Sequence, residues 1–184
     1  MMKQSLQWTF AALAGCAVPT SYVYSPQAAS HRTDGYPTAT QLVPPEAPQG
    51  TIELSSFGFV ELRDQQREQS VLHVRLSVTN DGDAAPWTII PGEQIIDVSG
   101  EQRSLPMAMK QALPMNEAVA INQRDRQRLD LYFALPATVA SEDTLMGFDV
   151  LWQVTTPVRL YSSRTHFDRY MATDPSLWSC ADRQ

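Results

Sequence analysis

Three methionines, Met107, Met109 and Met115, fall within nine residues in PMAMKQALPM. Thioether sulfur is a soft donor that selects copper(I), so three of them on a proline-bounded loop could converge on one ion. The stretch brings no histidine with it, and methionine is equally the flexible filler that covers the end of a core. The run QRDRQR sets Arg124, Arg126 and Arg128 around Asp125. Guanidinium forks match carboxylates and phosphates, which would suit an acidic partner, a cell-wall carboxylate or a lipid head group; a solvated loop leading into a strand uses the same residues.

The three histidines are His31, His73 and His166. A Ser/His/Asp arrangement is defined by geometry and not by spacing, so the sequence neither assembles one nor forbids it. No GxSxG, HExxH, Walker or GxGxxG pattern occurs, and the chemistries those motifs carry lack their signatures. Asn80-Asp81-Gly82-Asp83 offers oxygen ligands to calcium, but the twelfth position counted from Asn80, Asp81 or Asp83 is Pro91, Gly92 or Gln94, where the calcium loop needs glutamate. A polar hairpin turn accounts for the same four residues. The two cysteines, Cys16 and Cys180, form no CxxC, so neither a thioredoxin-like redox site nor a cysteine zinc site is indicated.

The elements that must position these residues read as strands. In LHVRLSVT, Leu72, Val74, Leu76 and Val78 alternate with His73, Arg75, Ser77 and Thr79, the period-two signature of a half-buried strand. In RLDLYFAL, Leu129, Leu131, Phe133 and Leu135 point one way while Asp130 and Tyr132 point the other. In MGFDVLWQV the buried set is Met146, Phe148, Val150, Trp152 and Val154. Weaker strands are expected over Ile52 to Leu62, with a slip near Ser55-Ser56 of the kind a bulge makes, and over Trp87 to Ile90, Ile95 to Val98, Val119 to Ile121 and Val158 to Phe167. Turn residues separate them and no long helical pattern intervenes. The expectation is an all-β domain over residues 51 to 170: an antiparallel two-sheet sandwich of about seven or eight strands, followed by a tail over 171 to 184. His73 and Arg75 then lie on a solvated sheet face, and Trp152 lies in the core.

Residues 17 to 50, rich in Pro, Ser, Thr, Ala and Gln, show no apolar periodicity and read as a disordered tether that would reach roughly 30 to 35 Å as a flexible coil. Before it, Lys3 is followed by an uncharged stretch from Leu6 to Ala14 and then Gly15 and Cys16, the order of an export signal over residues 1 to 15. Leu13-Ala14-Gly15-Cys16 resembles the lipobox of bacterial lipoproteins. The resemblance implies cleavage before Cys16 and lipidation of its thiol, and Ala17 in place of an aspartate implies the outer membrane. Loss of residues 1 to 15 removes Lys3 and no acid, taking the formal charge from -6 to -7, which argues against nucleic acid as a partner. Lipidation of Cys16 would leave Cys180 an odd thiol.

LHVRLSVTNDGD and LDLYFALP are also similar to strands of the small immunoglobulin-like domains of unknown function that bacterial lipoproteins carry; that likeness implies a fold and no active residues. The expectation is therefore a non-catalytic envelope lipoprotein without cofactor, held to the membrane by its lipid, whose sandwich binds or supports an envelope protein or cell-wall component. The alternative is a periplasmic carrier of a small ligand or copper(I) through Met107, Met109 and Met115.

Overall fold

The computed structural model describes residues 22 to 64, 67 to 82, 84 to 98, 100, 102 to 111, 113 and 115 to 172, with the side chains of 63, 64, 67 and 68 excepted. The lipobox residues and Cys180 lie outside these. The described residues form thirteen strands: β1 (Tyr22–Pro26), β2 (Ala29–Thr33), β3 (Tyr36–Val43), β4 (Gly50–Asp64), β5 (Arg67–Asn80), β6 (Trp87–Ile89), β7 (Ile95–Val98), β8 (Gln102–Ser104), β9 (Pro106–Met109), β10 (Val119–Ile121), β11 (Asp125–Phe133), β12 (Gly147–Thr155) and β13 (Leu160–Met171). All pairings are antiparallel and fall into two sheets. A six-stranded sheet runs β2-β3-β4-β5-β11-β9, and a seven-stranded sheet runs β1-β13-β12-β6-β10, with β7 also on β12 and β8 on β7.

The expected alternation places the core. Leu72, Val74, Leu76 and Val78 from β5, Leu129, Leu131 and Phe133 from β11, and Phe148, Val150, Trp152 and Val154 from β12 belong to one buried cluster shared by the two sheets. This sandwich-like arrangement follows from two sheets that each have one apolar face. Met146 departs from the expected set: it precedes β12, outside the paired register, and is 67% exposed. The slip near Ser55-Ser56 is a register shift between Ser56 and Gly58 against β5, with Phe57 as the extra residue and Gly58 at a φ of 72° that glycine adopts without strain.

The expected tether is where the sequence reading fails. Residues 17 to 21 lie outside the described residues, and from Tyr22 to Val43 the segment is strands and their turns, β1 against β13 and β2-β3 added to the edge of β4. A single side chain does much to hold β1: Tyr24 is fully buried, tilts against Phe148 with centroids 5.4 Å apart and donates its hydroxyl to the Leu145 carbonyl at 3.1 Å. The β2-β3 hairpin turns on Asp34 and Gly35, both at positive φ, the two-residue turn whose twist matches antiparallel strands.

Among the described glycines, Gly50 leaves the least room for a side chain. A Cβ there would meet the Thr79 carbonyl oxygen at 2.0 Å and the Trp87 ring at 2.6 Å. Backbone cannot yield as a flexible side chain can, so Gly50→Ala is expected to cost about 1 to 3 kcal/mol in a urea melt.

Candidate functional site

Alternation buries one face of β5 and β11 and leaves the other outward. On that outward face the register sets Tyr132 opposite His73 and Asp130 opposite Arg75. The β4 bulge lays Phe57 beside them, and the β2-β3 hairpin adds Asp34 and Tyr36. The result is a row of four rings crossing four strands. Tyr36 and Phe57 have centroids 4.2 Å apart, Phe57 stacks on His73 at 4.6 Å, and His73 meets Tyr132 at 4.7 Å. The Arg75 guanidinium lies over the Phe57 ring at 4.5 Å, a cation held against an electron-rich face.

Asp130 organises the row from beneath. Its Oδ1 accepts from His73 Nε2 at 2.9 Å and from Arg75 Nε at 2.8 Å. Its Oδ2 accepts from Gln111 Nε2 at 3.0 Å, while its own backbone N–H donates to Gln111 Oε1 at 3.0 Å. Arg75 reaches past it to the Asp34 carboxylate in the hairpin turn. Burial alone would push the Asp130 carboxyl up, but the hydrogen bonds from His73 and Arg75 outweigh it and hold the group well below the usual carboxylate range. An ionised carboxylate only accepts, so His73 carries its proton on Nε2. Burial, and next the charge of Asp130, raise the Tyr132 phenol above its ordinary value, so it remains protonated at neutral pH.

This arrangement corrects the expectation of a merely solvated face at His73 and Arg75: their side chains are each only 11% exposed. An Asp–His pair is part of a hydrolytic triad, but among the described residues no serine, threonine or cysteine side chain hydrogen-bonds to His73. The pair immobilises rings. Ring contacts and the bonds to Asp130 restrict the side chains of Phe57, His73, Arg75 and Tyr132, and groups ordered in advance lose less entropy in any later contact.

The expected arginines divide. Arg126 and Arg128 alternate with Asp130 and Tyr132 along β11 and so share the outward face. Arg126 pairs with Glu53, which stands 3.8 Å from His31 Nε2. Arg124 stays in the turn before the strand, at a φ of 61°, and donates its backbone N–H to the Asn80 carbonyl. The methionine stretch is partly strand and not simply a loop: Met109 sits opposite Leu131 and packs on the core, Met107 is the half-exposed extra residue of a register shift, and the Met115 carbonyl accepts from Gly92 N–H. Asn80 is buried and ties the turn through Nδ2 to the carbonyls of Ala85 and Ile121, while Asp81 and Gly82 donate to the Gln49 carbonyl; these bonds are those of a structural turn.

Sequence reasoning missed a second polar cluster, on the outward face of the seven-stranded sheet. Asp149 lies opposite Asp97 on one side and His166 on the other. His166 bonds Asp149 at 2.9 Å and Asp168 at 3.1 Å, and Arg164 closes on Asp149. Burial lowers the His166 pKa, but its two aspartate partners reverse this and raise it. Asp97 keeps one buried carboxylate oxygen without a hydrogen-bond partner. Among the described residues no three His, Cys, Asp or Glu side chains stand as a metal-holding group. The alternating acids and bases of β12 and β13 were the available signal.

No protein family matches the chain, and no curated protein matches it. A solved structure described as the X-ray structure of Northeast Structural Genomics Consortium target SoR45 is 8% identical, with a TM-score of 0.40 over 68% of this chain and 88% of that one. That likeness carries no argument about function.

Proposed function

We infer that the protein is a non-catalytic envelope lipoprotein, anchored through Cys16, whose immunoglobulin-like sandwich binds another envelope protein or cell-wall component through the outward face of the six-stranded sheet. The observation that supports this is the ring row Tyr36–Phe57–His73–Tyr132, partly exposed and held in place by Asp130. Tyrosine, phenylalanine and arginine in fixed positions are the composition of interface hot spots. Arg126 and Arg128 extend the same face as a polar rim. The charge of Arg75 is met internally by Asp130 and Asp34, so its part is to hold Phe57 and not to attract an anion. The copper(I) alternative loses support where Met109 packs on the core as filler.

The test is photo-crosslinking of the membrane-bound protein in its own cells, with the crosslinker at Phe57 or Tyr132 and, as a control, at Leu151 on the outward face of the other sheet. Adducts from the first two positions and none from Leu151 are the expected result, and Arg128→Glu should weaken them. Equal adducts from all three would reject the assigned face. Intact mass of the same membrane fraction checks the acylation of Cys16.

A further inference from the structure

The start of β1 at Tyr22 changes where a lipid anchor at Cys16 would put the domain. Five residues, Ala17 to Ser21, lie between the two positions, and the six fully extended steps from Cys16 to Tyr22 span at most about 20 Å. The end of the seven-stranded sheet that receives this segment exposes several large apolar side chains beside Arg169, Glu142 and Asp143. Tyr22 pairs with Met171 and Val23 with Tyr170, and the Arg169 backbone N–H donates to the Met146 carbonyl, so these residues share one end of the sheet. Met171 is 72% exposed, Met146 67% and Tyr170 52%. Arg169 lies over the Tyr22 ring at 4.3 Å. Flexible thioethers beside two tyrosines and an arginine whose stem is apolar are the side chains that settle at a membrane interface, with apolar parts inward and polar tips in the head groups.

We propose that this end of the sandwich, formed by Tyr22, Met146, Tyr170 and Met171, rests directly on the lipid surface to which Cys16 is attached. The proposal rests on the reading of Cys16 as the lipidated residue. A short leash holds the patch within reach of the bilayer, and water-exposed methionine gains by partial burial there. The neighbouring acids Glu142 and Asp143 favour a zwitterionic surface over a strongly anionic one. Strand β13 has twelve residues, which at about 3.3 Å each puts its other end roughly 35 Å away. That far end also exposes apolar side chains, Val158 at 81% and Leu160 at 55%, but no anchor brings them to lipid. The outward face of the six-stranded sheet would then stand to the side of the contact, free for a partner.

The experiment uses the full lipidated chain carrying Cys180→Ser, with a single fluorophore at Met146→Cys, Met171→Cys or Val158→Cys, in vesicles of phosphatidylethanolamine and phosphatidylcholine that contain head-group nitroxide lipid. Quenching is expected to be several-fold stronger at positions 146 and 171 than at 158. Equally weak quenching at all three, with Cys16 acylated by intact mass, overturns the seated orientation and leaves the anchor standing. Equally strong quenching at 158 also overturns it, since the domain would then lie flat. An unmodified Cys16 overturns the anchor and this inference together.

Discussion

Asp130→Ala is expected to destabilise the domain by about 3 to 5 kcal/mol in urea melts at neutral pH, the usual cost of removing one partner from a buried ionic group. Asp130 has a side chain only 3% exposed and takes bonds from His73, Arg75 and Gln111. Its removal leaves a guanidinium, an imidazole N–H and an amide facing an empty space. His73→Ala should cost about 1 to 3 kcal/mol, because it takes a ring out of the stack and one donor from the carboxylate. The sign of the pH dependence follows from the lowered Asp130 pKa. A carboxylate whose folded pKa lies below its unfolded value stabilises fully above the unfolded value and loses that contribution as pH falls toward the folded one. The stability gap between the native chain and Asp130→Ala should therefore narrow as pH drops through 3.8, the ordinary value for the group, and go on narrowing below it. A gap that widens in acid would reject the network.

Trp152→Ala is expected to cost a similar 3 to 5 kcal/mol. Trp152 is 3% exposed within the core cluster, in register between Val150 and Val154 on the inner face of β12. Its indole N–H is buried without a hydrogen-bond partner, and an orphaned donor carries a desolvation cost of about 1 to 3 kcal/mol. Phenylalanine removes that donor along with part of the ring volume, two effects of opposite sign. Trp152→Phe should thus cost less than about 1.5 kcal/mol, far below the alanine variant. If the two variants melt alike, the packing of the whole indole outweighs the buried donor.

The strongest strands were legible because their apolar burial is one-sided, and period-two alternation states this directly. Leu72 to Val78, Leu129 to Phe133 and Phe148 to Val154 needed no neighbours to be read. β1 and β3 were not read: β1 is only five residues long and turns just Tyr24 and Pro26 inward, β3 has Thr38 and Ala39 buried in succession, and proline and small polar residues in both imitate a tether. One signal was present and passed over. Asp34-Gly35 between Thr33 and Tyr36 is a hairpin turn by its residue types alone, and reading it would have moved the folded boundary upstream. Of the site, Arg126 and Arg128 were singled out for their charge, whereas His73, Arg75, Asp130 and Tyr132 were assigned an outward face and no purpose.

The sequence by itself determined an all-β chain, the inner and outer faces of its main strands and a lipobox-like N-terminus, since each rests on residue types and spacings along one segment. Only the tertiary structure decided what the outward faces carry. Asp130 is an ordinary surface aspartate until β5 lies beside β11 in the one register that puts Arg75 opposite it and His73 opposite Tyr132. A one-residue slip of β11 would turn Asp130 and Tyr132 to the core side and part them from His73 and Arg75. Asp34 and Tyr36 join them through a hairpin added to the far edge of β4, and Phe57 through an extra residue in that strand. Cross-strand partners such as His73 and Asp130, 57 residues apart, and Asp34 and Arg75, 41 apart, are set by pairing and bulges between segments, and no pattern within a single segment contains them.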